Sequence, residues 1–357
     1  MKGVISILIV VLFYSCSGTK DNKFTTKIPI EEKDVVLQLN NRPYRYTLIG
    51  YSLLLINYGI EVVKINIHTG NASVFFRPDS SLLKKTFNEI KKNNSKFNFY
   101  PLSNVVRKYK KLYRIVGITK YKNELYLLGL FKTMRKSSKG DRFREMYFMW
   151  VVGPDKKIEN IITGFETCSD PYHTFIFNKR NFCIEKNKIY IPAFSLNGTK
   201  VNYLTYRFNN HGEVEDCIPE IEGIKREKVA FYKNRKVIFS DKCKRGCFYY
   251  DGKNIKDING DVKTQIKTNT NELIVNFCQL NNPTEYIYLK VKTANSHSKK
   301  KFIYSILKSQ NNFIKDSIFL GSSDSIKNIG ICYPYLLYFI VDEKDNVFMY
   351  YQSLQNI

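Results

Sequence analysis

An all-β fold, a β-propeller, is what this sequence predicts, and three observations carry the expectation. A polar turn running into an alternating apolar and aromatic strand recurs along the chain. Asn123-Glu124-Leu125-Tyr126-Leu127-Leu128 is the clearest copy. Asn187-Lys188-Ile189-Tyr190-Ile191, Asn234-Arg235-Lys236-Val237-Ile238 and Asn271-Glu272-Leu273-Ile274-Val275 repeat it, with looser versions at residues 52–56 and 334–338. A strand unit repeated at long intervals cannot bury its apolar face alone and needs neighbours of its own kind. Second, 26 Tyr and 25 Phe but only four alanines favour pleated strands over helices. Third, the last unit is one strand short, and an early strand stands ready to complete it.

Taken in order, residues 34–39 alternate weakly and read as that early strand. Residues 45–49, 53–57, 61–67 and 71–76 then form a four-strand meander with turns at Tyr58-Gly59 and Thr69-Gly70-Asn71. Asp79 or Ser80 can cap a helical insertion over residues 79–92, because Leu82, Leu83, Phe87 and Ile90 fall on one side. A second unit covers 112–119, 124–131, 145–152 and 157–163, and a third covers 181–184, 188–194, 201–208 and 214–218. Four shorter strands fit within 228–258, while 263–319 holds one strand-like run more than a unit needs. Residues 326–333, 335–341 and 346–351 supply only three strands before the chain ends. Pairing residues 34–39 with them would close a ring and remove an exposed sheet edge. The repeated strands are spaced by 37 to 71 residues, against about 40 to 50 for a four-stranded blade. Six blades with insertions are therefore expected, with seven as the alternative.

The N-terminus adds a location. Met1-Lys2, an apolar run over residues 3–13 and Tyr14-Ser15-Cys16-Ser17-Gly18 have the layout of a secretory signal, and the run falls short of the ~20 residues that span a bilayer. Ser15-Cys16 resembles the lipobox of bacterial lipoproteins, with Phe13 and Tyr14 as aromatic departures similar to Bacteroidota examples. The resemblance implies removal of residues 1–15, acylation (including palmitate) at Cys16, a tether over 16–33 and a propeller domain over 34–357. It also implies an outer-membrane lipoprotein, periplasmic or surface-exposed; Lys20-Asp21 is a thin version of the charged cluster that promotes surface display. With the strand pattern, the whole chain resembles the uncharacterised six-bladed propeller lipoproteins of that phylum.

Formal charge is +25, which either attracts polyanions or follows from a composition rich in Lys, Asn, Ile, Tyr and Phe. No nucleic-acid recognition motif is present, and an exported protein does not call for one. Of eight cysteines, Cys183, Cys278 and Cys332 lie in apolar runs and read as buried thiols. Cys243 and Cys247 flank a three-residue loop that could set them opposite each other as a disulfide. Metal coordination is not expected, because His68, His211 and His297 stand apart and no Cys or His pair has ligand spacing. No cofactor motif appears.

If the repeated strand is second in its blade, one face collects residues 132–144, 164–173, 241–246, 279–284 and the helical insertion. Arg135, Arg142 and Arg144 there could hold sulfate, carboxylate or phosphate through their forked donors, or they belong to a solvated hairpin tip. Glu166, Asp170, Tyr172 and His173 offer acid–base groups and a stacking ring, or a turn built on Asp170-Pro171. The leading expectation is a non-catalytic binding module for a glycan or an envelope protein partner. The alternatives are a glycoside hydrolase or lyase using Glu166 or Asp170 with His173, and a structural subunit of an envelope complex.

Overall fold

The computed structural model describes residues 26–29, 46–93, 113–135, 142–165, 174–177, 182–186, 188–197, 200–225, 238–239, 248–250, 252–257, 261–266, 268–269, 272–280, 285–296, 299–310, 313–322, 326–341, 344 and 346–354. Among these, every strand falls into one of six antiparallel sheets laid out as a β-propeller. The first strand, β1 (Thr26–Pro29), belongs to the last sheet. Sheet 1 is the meander β2 (Tyr46–Ile49), β3 (Ser52–Asn57), β4 (Glu61–Asn66) and β5 (Ala72–Phe76), followed by helix α1 (Ser80–Asn93). Sheet 2 is β6 (Tyr113–Tyr121), β7 (Glu124–Arg135), β8 (Arg142–Val152) and β9 (Ile158–Ile162). Sheet 3 opens with two short strands, β10 (Thr174–Phe177) and β11 (Cys183–Glu185). Both pair with β12 (Lys188–Asn197), and β13 (Lys200–Phe208) and β14 (Val214–Lys225) follow.

Sheet 4 is β15 (Ile238–Phe239), β16 (Phe248–Tyr250), β17 (Asn254–Asp257) and β18 (Val262–Gln265). Sheet 5 is β19 (Glu272–Gln279), β20 (Glu285–Ser296), β21 (Lys299–Gln310) and β22 (Phe313–Ser322). Sheet 6 joins β23 (Ile326–Cys332), β24 (Tyr335–Val341) and β25 (Val347–Ser353) to β1, with Thr26 opposite Tyr351 and Pro29 opposite Phe348. The vacancy in the last sheet is thus filled by a strand from the N-terminus, but by Thr26–Pro29 and not by residues 34–39, which lie outside the described residues. The strand therefore falls inside the stretch expected to be tether. The surplus run in 263–319 is resolved as well: β18 belongs to sheet 4, which leaves sheet 5 its four strands.

Packing follows the sheet order. Five apolar clusters each bridge two sheets: 1 with 2, 2 with 3, 4 with 5, 5 with 6, and 6 with 1. The last of these sets Leu53, Leu55 and Val63 against Leu337, Phe339 and Met349. The first is centred on Trp150, which is fully buried and meets the rings of Phe76, Tyr113 and Phe148. Gly129 makes room there, since a β-carbon on it would come within 2.2 Å of the Phe148 ring. Helix α1 lies where the insertion is expected. Asp79 accepts the Leu82 amide at 2.7 Å as its N-cap, and Phe87 and Ile90 are buried with Leu82 and Leu83 packed beside them. Helix and sheet are also joined by a hydrogen bond of 2.9 Å from Trp150 Nε1 to Thr86 Oγ1, and by one from Asn93 Nδ2 to Thr163 Oγ1.

Two expectations are corrected. The repeated strand is second in sheets 1, 2, 3 and 6, but in sheets 4 and 5 it ends in β15 or begins β19, which are first. The ends of β15 and β19 that lead to the next strand therefore point to the opposite face from the one expected, while residues 241–246 and 281–284 lie outside the described residues. Cys183 and Cys278 are disulfide-bonded and are not thiols, whereas Cys332 is a buried thiol as expected. No helix among the described residues is long and apolar enough to cross a membrane.

Candidate functional site

In an antiparallel meander, the hairpins joining second to third strands and the connections between sheets share one face, here called the hairpin face. First-to-second and third-to-fourth turns share the other. On the hairpin face three ladders run long. Strand β6 pairs with β7 only as far as Tyr113 opposite Phe131, and β8 meets β9 only from Met149 onward. Beyond those rungs β7 and β8 pair with each other alone, through Lys132–Glu145, Thr133–Arg144, Met134–Phe143 and Arg135–Arg142. The segment read as a loop is thus largely a two-stranded ribbon. Directly opposed residues and those two apart share a face, so Arg135, Arg142 and Arg144 occupy one side of it.

Sheet 5 repeats the device. Strand β19 reaches only Glu272 opposite Lys292, and β22 only Ser322 opposite Ile303. Past them β20 and β21 continue as a pair to Ser296 opposite Lys299, with Lys300 and Lys301 on the next two rungs. In sheet 3 the β12–β13 tip carries Lys200, and β14 ends with Lys225 directly opposite it. Cationic residues from three sheets therefore sit at the tips of elements on a single face. Sequence reasoning singled out the sheet 2 ribbon and missed Lys299, Lys300, Lys301, Lys200 and Lys225. The lysine run was visible, but only the pairing register shows that it belongs to a projecting hairpin.

The hairpin of sheet 1 on this face is held by a set of hydrogen bonds. The buried Glu61 carboxylate accepts Asn57 Nδ2 at 2.7 Å and the Arg77 guanidinium through Nε (2.7 Å) and Nη2. Tyr58 and Gly59 turn the chain with positive φ of 50° and 73°. The Gly59 carbonyl accepts the Ile115 amide at 2.6 Å, and Tyr113 donates to the Ile60 carbonyl at 2.8 Å, which fastens sheet 1 to sheet 2. Burial and the neighbouring Glu61 push the Tyr113 hydroxyl up, against the opposing pull of Arg77, to about 12.

A second feature lies toward the opposite face. Between sheets 2 and 3 a cleft of about 180 Å³ is lined by Glu124, Tyr126, Glu159, Asn160 and Asn210, and a neighbouring one of about 360 Å³ adds His211 and Glu213. The Tyr126 hydroxyl donates to Glu124 at 2.6 Å. Hydrogen bonding to Glu124, burial and the charge of the Glu124 carboxylate raise Glu159 above the ordinary carboxylate value.

Cys16, Glu166, Asp170, Tyr172, His173, Cys243 and Cys247 lie outside the described residues. Asp170 and His173 therefore have no observed relation to the ribbon, and no group of three or more acidic, His or Cys ligands forms a metal site among the described residues.

No protein-family model matches the chain. No curated protein matches it either. Among solved structures it is similar to a thermostable family-43 glycoside hydrolase (9% identity, 90% of this chain and 91% of that one, TM-score 0.36). It is also similar to a subtype N10 neuraminidase-like protein of A/little yellow-shouldered bat/Guatemala/060/2010 (9%, 92% and 98%, TM-score 0.37). A third is a family-32 β-fructofuranosidase of Bombyx mori (10%, 90% and 61%, TM-score 0.35). Scores of this size transfer neither site nor substrate.

Proposed function

We propose that this chain is a lipid-anchored, six-bladed envelope propeller whose hairpin face binds an anionic glycan without transforming it. The observation that carries the binding reading is the set of basic hairpin tips from sheets 2, 3 and 5 on one face. Forked guanidinium donors at Arg135, Arg142 and Arg144 suit uronate carboxylates and sulfates, and the lysines of sheet 5 add point charges. Six blades are supported by six sheets, with apolar clusters among the described residues at five of the six junctions that a ring requires; a density map with a seventh sheet would overturn that number. Export is supported by the disulfide bonding of Cys183 and Cys278, because such bonds persist in oxidising compartments.

Affinity electrophoresis in gels cast with polygalacturonate or a neutral glucan tests the binding reading. The protein is expected to be retarded by the anionic polymer only, and less so as salt rises. Changing Arg135, Arg142 and Arg144 to Ala, or Lys299, Lys300 and Lys301 to Ala, should each weaken retardation, and the combination should abolish it. Undiminished retardation of the six-fold variant removes the hairpin face from the function, and release of unsaturated or reducing ends would replace binding by catalysis.

A further inference from the structure

The face opposite the hairpins carries an aromatic cluster that the binding reading does not use. Tyr51, in the β2–β3 turn, is 63% exposed, the largest exposure among the large hydrophobic residues described. Its ring lies 5.0 Å from that of His68, in the β4–β5 turn. His68 meets Tyr351 edge-on at 5.9 Å, with Nδ1 3.4 Å from the Tyr351 hydroxyl, and Tyr351 meets Tyr335 edge-on at 5.7 Å. Four rings from sheets 1 and 6 thus form one patch. Each has an apolar body and a polar tip, the side-chain type that settles at a boundary between hydrocarbon and water.

What covers this patch is indicated by where the chain enters. Strand β1 begins at Thr26, directly opposite Tyr351, and runs from this face toward the hairpin face. The chain therefore enters β1 beside the aromatic cluster. From Cys16 to Thr26 the chain makes ten residue steps. Fully extended that spans at most roughly 35 Å, and as a flexible coil about 17 Å. A lipid on Cys16 would hold this face within roughly 35 Å of the bilayer.

We infer that the Tyr51–His68–Tyr335–Tyr351 patch seats on the headgroup region of the membrane, so that the propeller stands on its tether face with the basic hairpins pointing away. This orientation rests on the lipid-anchor reading. The tether supplies proximity and the rings supply contact: amphipathic rings at headgroup depth add to the affinity of an acyl anchor. A ligand of the hairpin face then approaches from the aqueous side without competing with the membrane.

Tyrosine labelling by mass spectrometry tests it on the full mature protein. The lipidated chain is reconstituted in vesicles of phosphatidylethanolamine and phosphatidylglycerol, and Cys16→Ser protein is labelled free in buffer. The expected result is severalfold slower labelling of Tyr51 on vesicles, with Tyr58 of the hairpin face unchanged. The intact mass reports separately on the anchor: an unmodified Cys16 removes the anchoring reading, and the orientation with it. A lipidated chain with Tyr51 as reactive on vesicles as in buffer overturns the orientation alone. Protection of Tyr51 in the Cys16→Ser protein by polysaccharide, without vesicles, would make the patch a glycan site and equally overturn it.

Discussion

Trp150, Glu61 and Arg77 show what single residues hold in the first two sheets. The indole nitrogen of Trp150 donates to Thr86, whose hydroxyl donates onward to the Leu82 carbonyl at 2.8 Å, so one side chain fastens helix to sheet. Trp150→Phe removes that donor and leaves a void; a loss of about 2–3 kcal/mol in urea unfolding is expected. Strand alternation alone puts Trp150 on the same side as Phe148. Its partner lies 64 residues away, which no local pattern reveals. The Glu61–Arg77 pair makes a sharper test. Arg77→Met leaves a buried carboxylate without its cation and should cost roughly 2–4 kcal/mol, while Glu61→Gln with Arg77→Met should recover most of it, because no buried charge then remains. Equal losses in the single and double variants would show that the pair contributes packing and not charge compensation. Arg77 was invisible as a functional choice in the sequence, since a basic residue before Pro78 reads as an ordinary loop position.

Among the elements, alternation, turn residues and the Asp79 cap make sheets 1, 2 and 6 and helix α1 legible with ends close to those observed. Short strands carry too few alternations to announce their place in a sheet. Sheet 4, with strands of two to four residues, is therefore where the repeat phase slipped and β18 was assigned to its neighbour. Strand β1 was missed for a related reason: Thr26–Pro29 has one strong apolar residue, Ile28, and ends in proline, which suits only an edge. Its value lies in what it covers. A mature chain beginning at residue 30 would expose the β25 edge from Phe348 to Tyr351. Such an edge is a template for pairing with a second chain. That truncation should shift the protein from its native elution position toward oligomers in size-exclusion chromatography with light scattering, whereas a chain beginning at residue 17 should not.

At the scale of the whole molecule, charge and buried tyrosine set opposite limits on stability with pH. Net charge is +25 and the isoelectric point about 9.5, so at neutral pH the fold works against its own repulsion, which eases as pH rises. The tyrosines act the other way. Burial pushes Tyr113 up to about 12 and holds Tyr126, Tyr190, Tyr286 and Tyr338 above the ordinary value of 10.0 as well, with Glu124 adding to the shift of Tyr126 and Tyr350 to that of Tyr338. A raised tyrosine favours the folded state while it is neutral. Its contribution is complete below pH 10 and is lost as pH climbs toward the folded value, near 12 for Tyr113. The net charge is legible from composition, but which of the 26 tyrosines are buried is not, because alternating strands offer Tyr equally to core and solvent. Stability measured by urea midpoint against pH should therefore peak between pH 9 and 10 at low salt, close to the isoelectric point. Added salt should flatten the neutral side by screening repulsion and leave the alkaline fall in place, since buried hydroxyls are screened little. Tyr113→Phe separates the two terms. It deletes the bond to the Ile60 carbonyl and so lowers the plateau, yet it should make the alkaline fall shallower; a fall as steep as before would assign that limb to the other buried tyrosines.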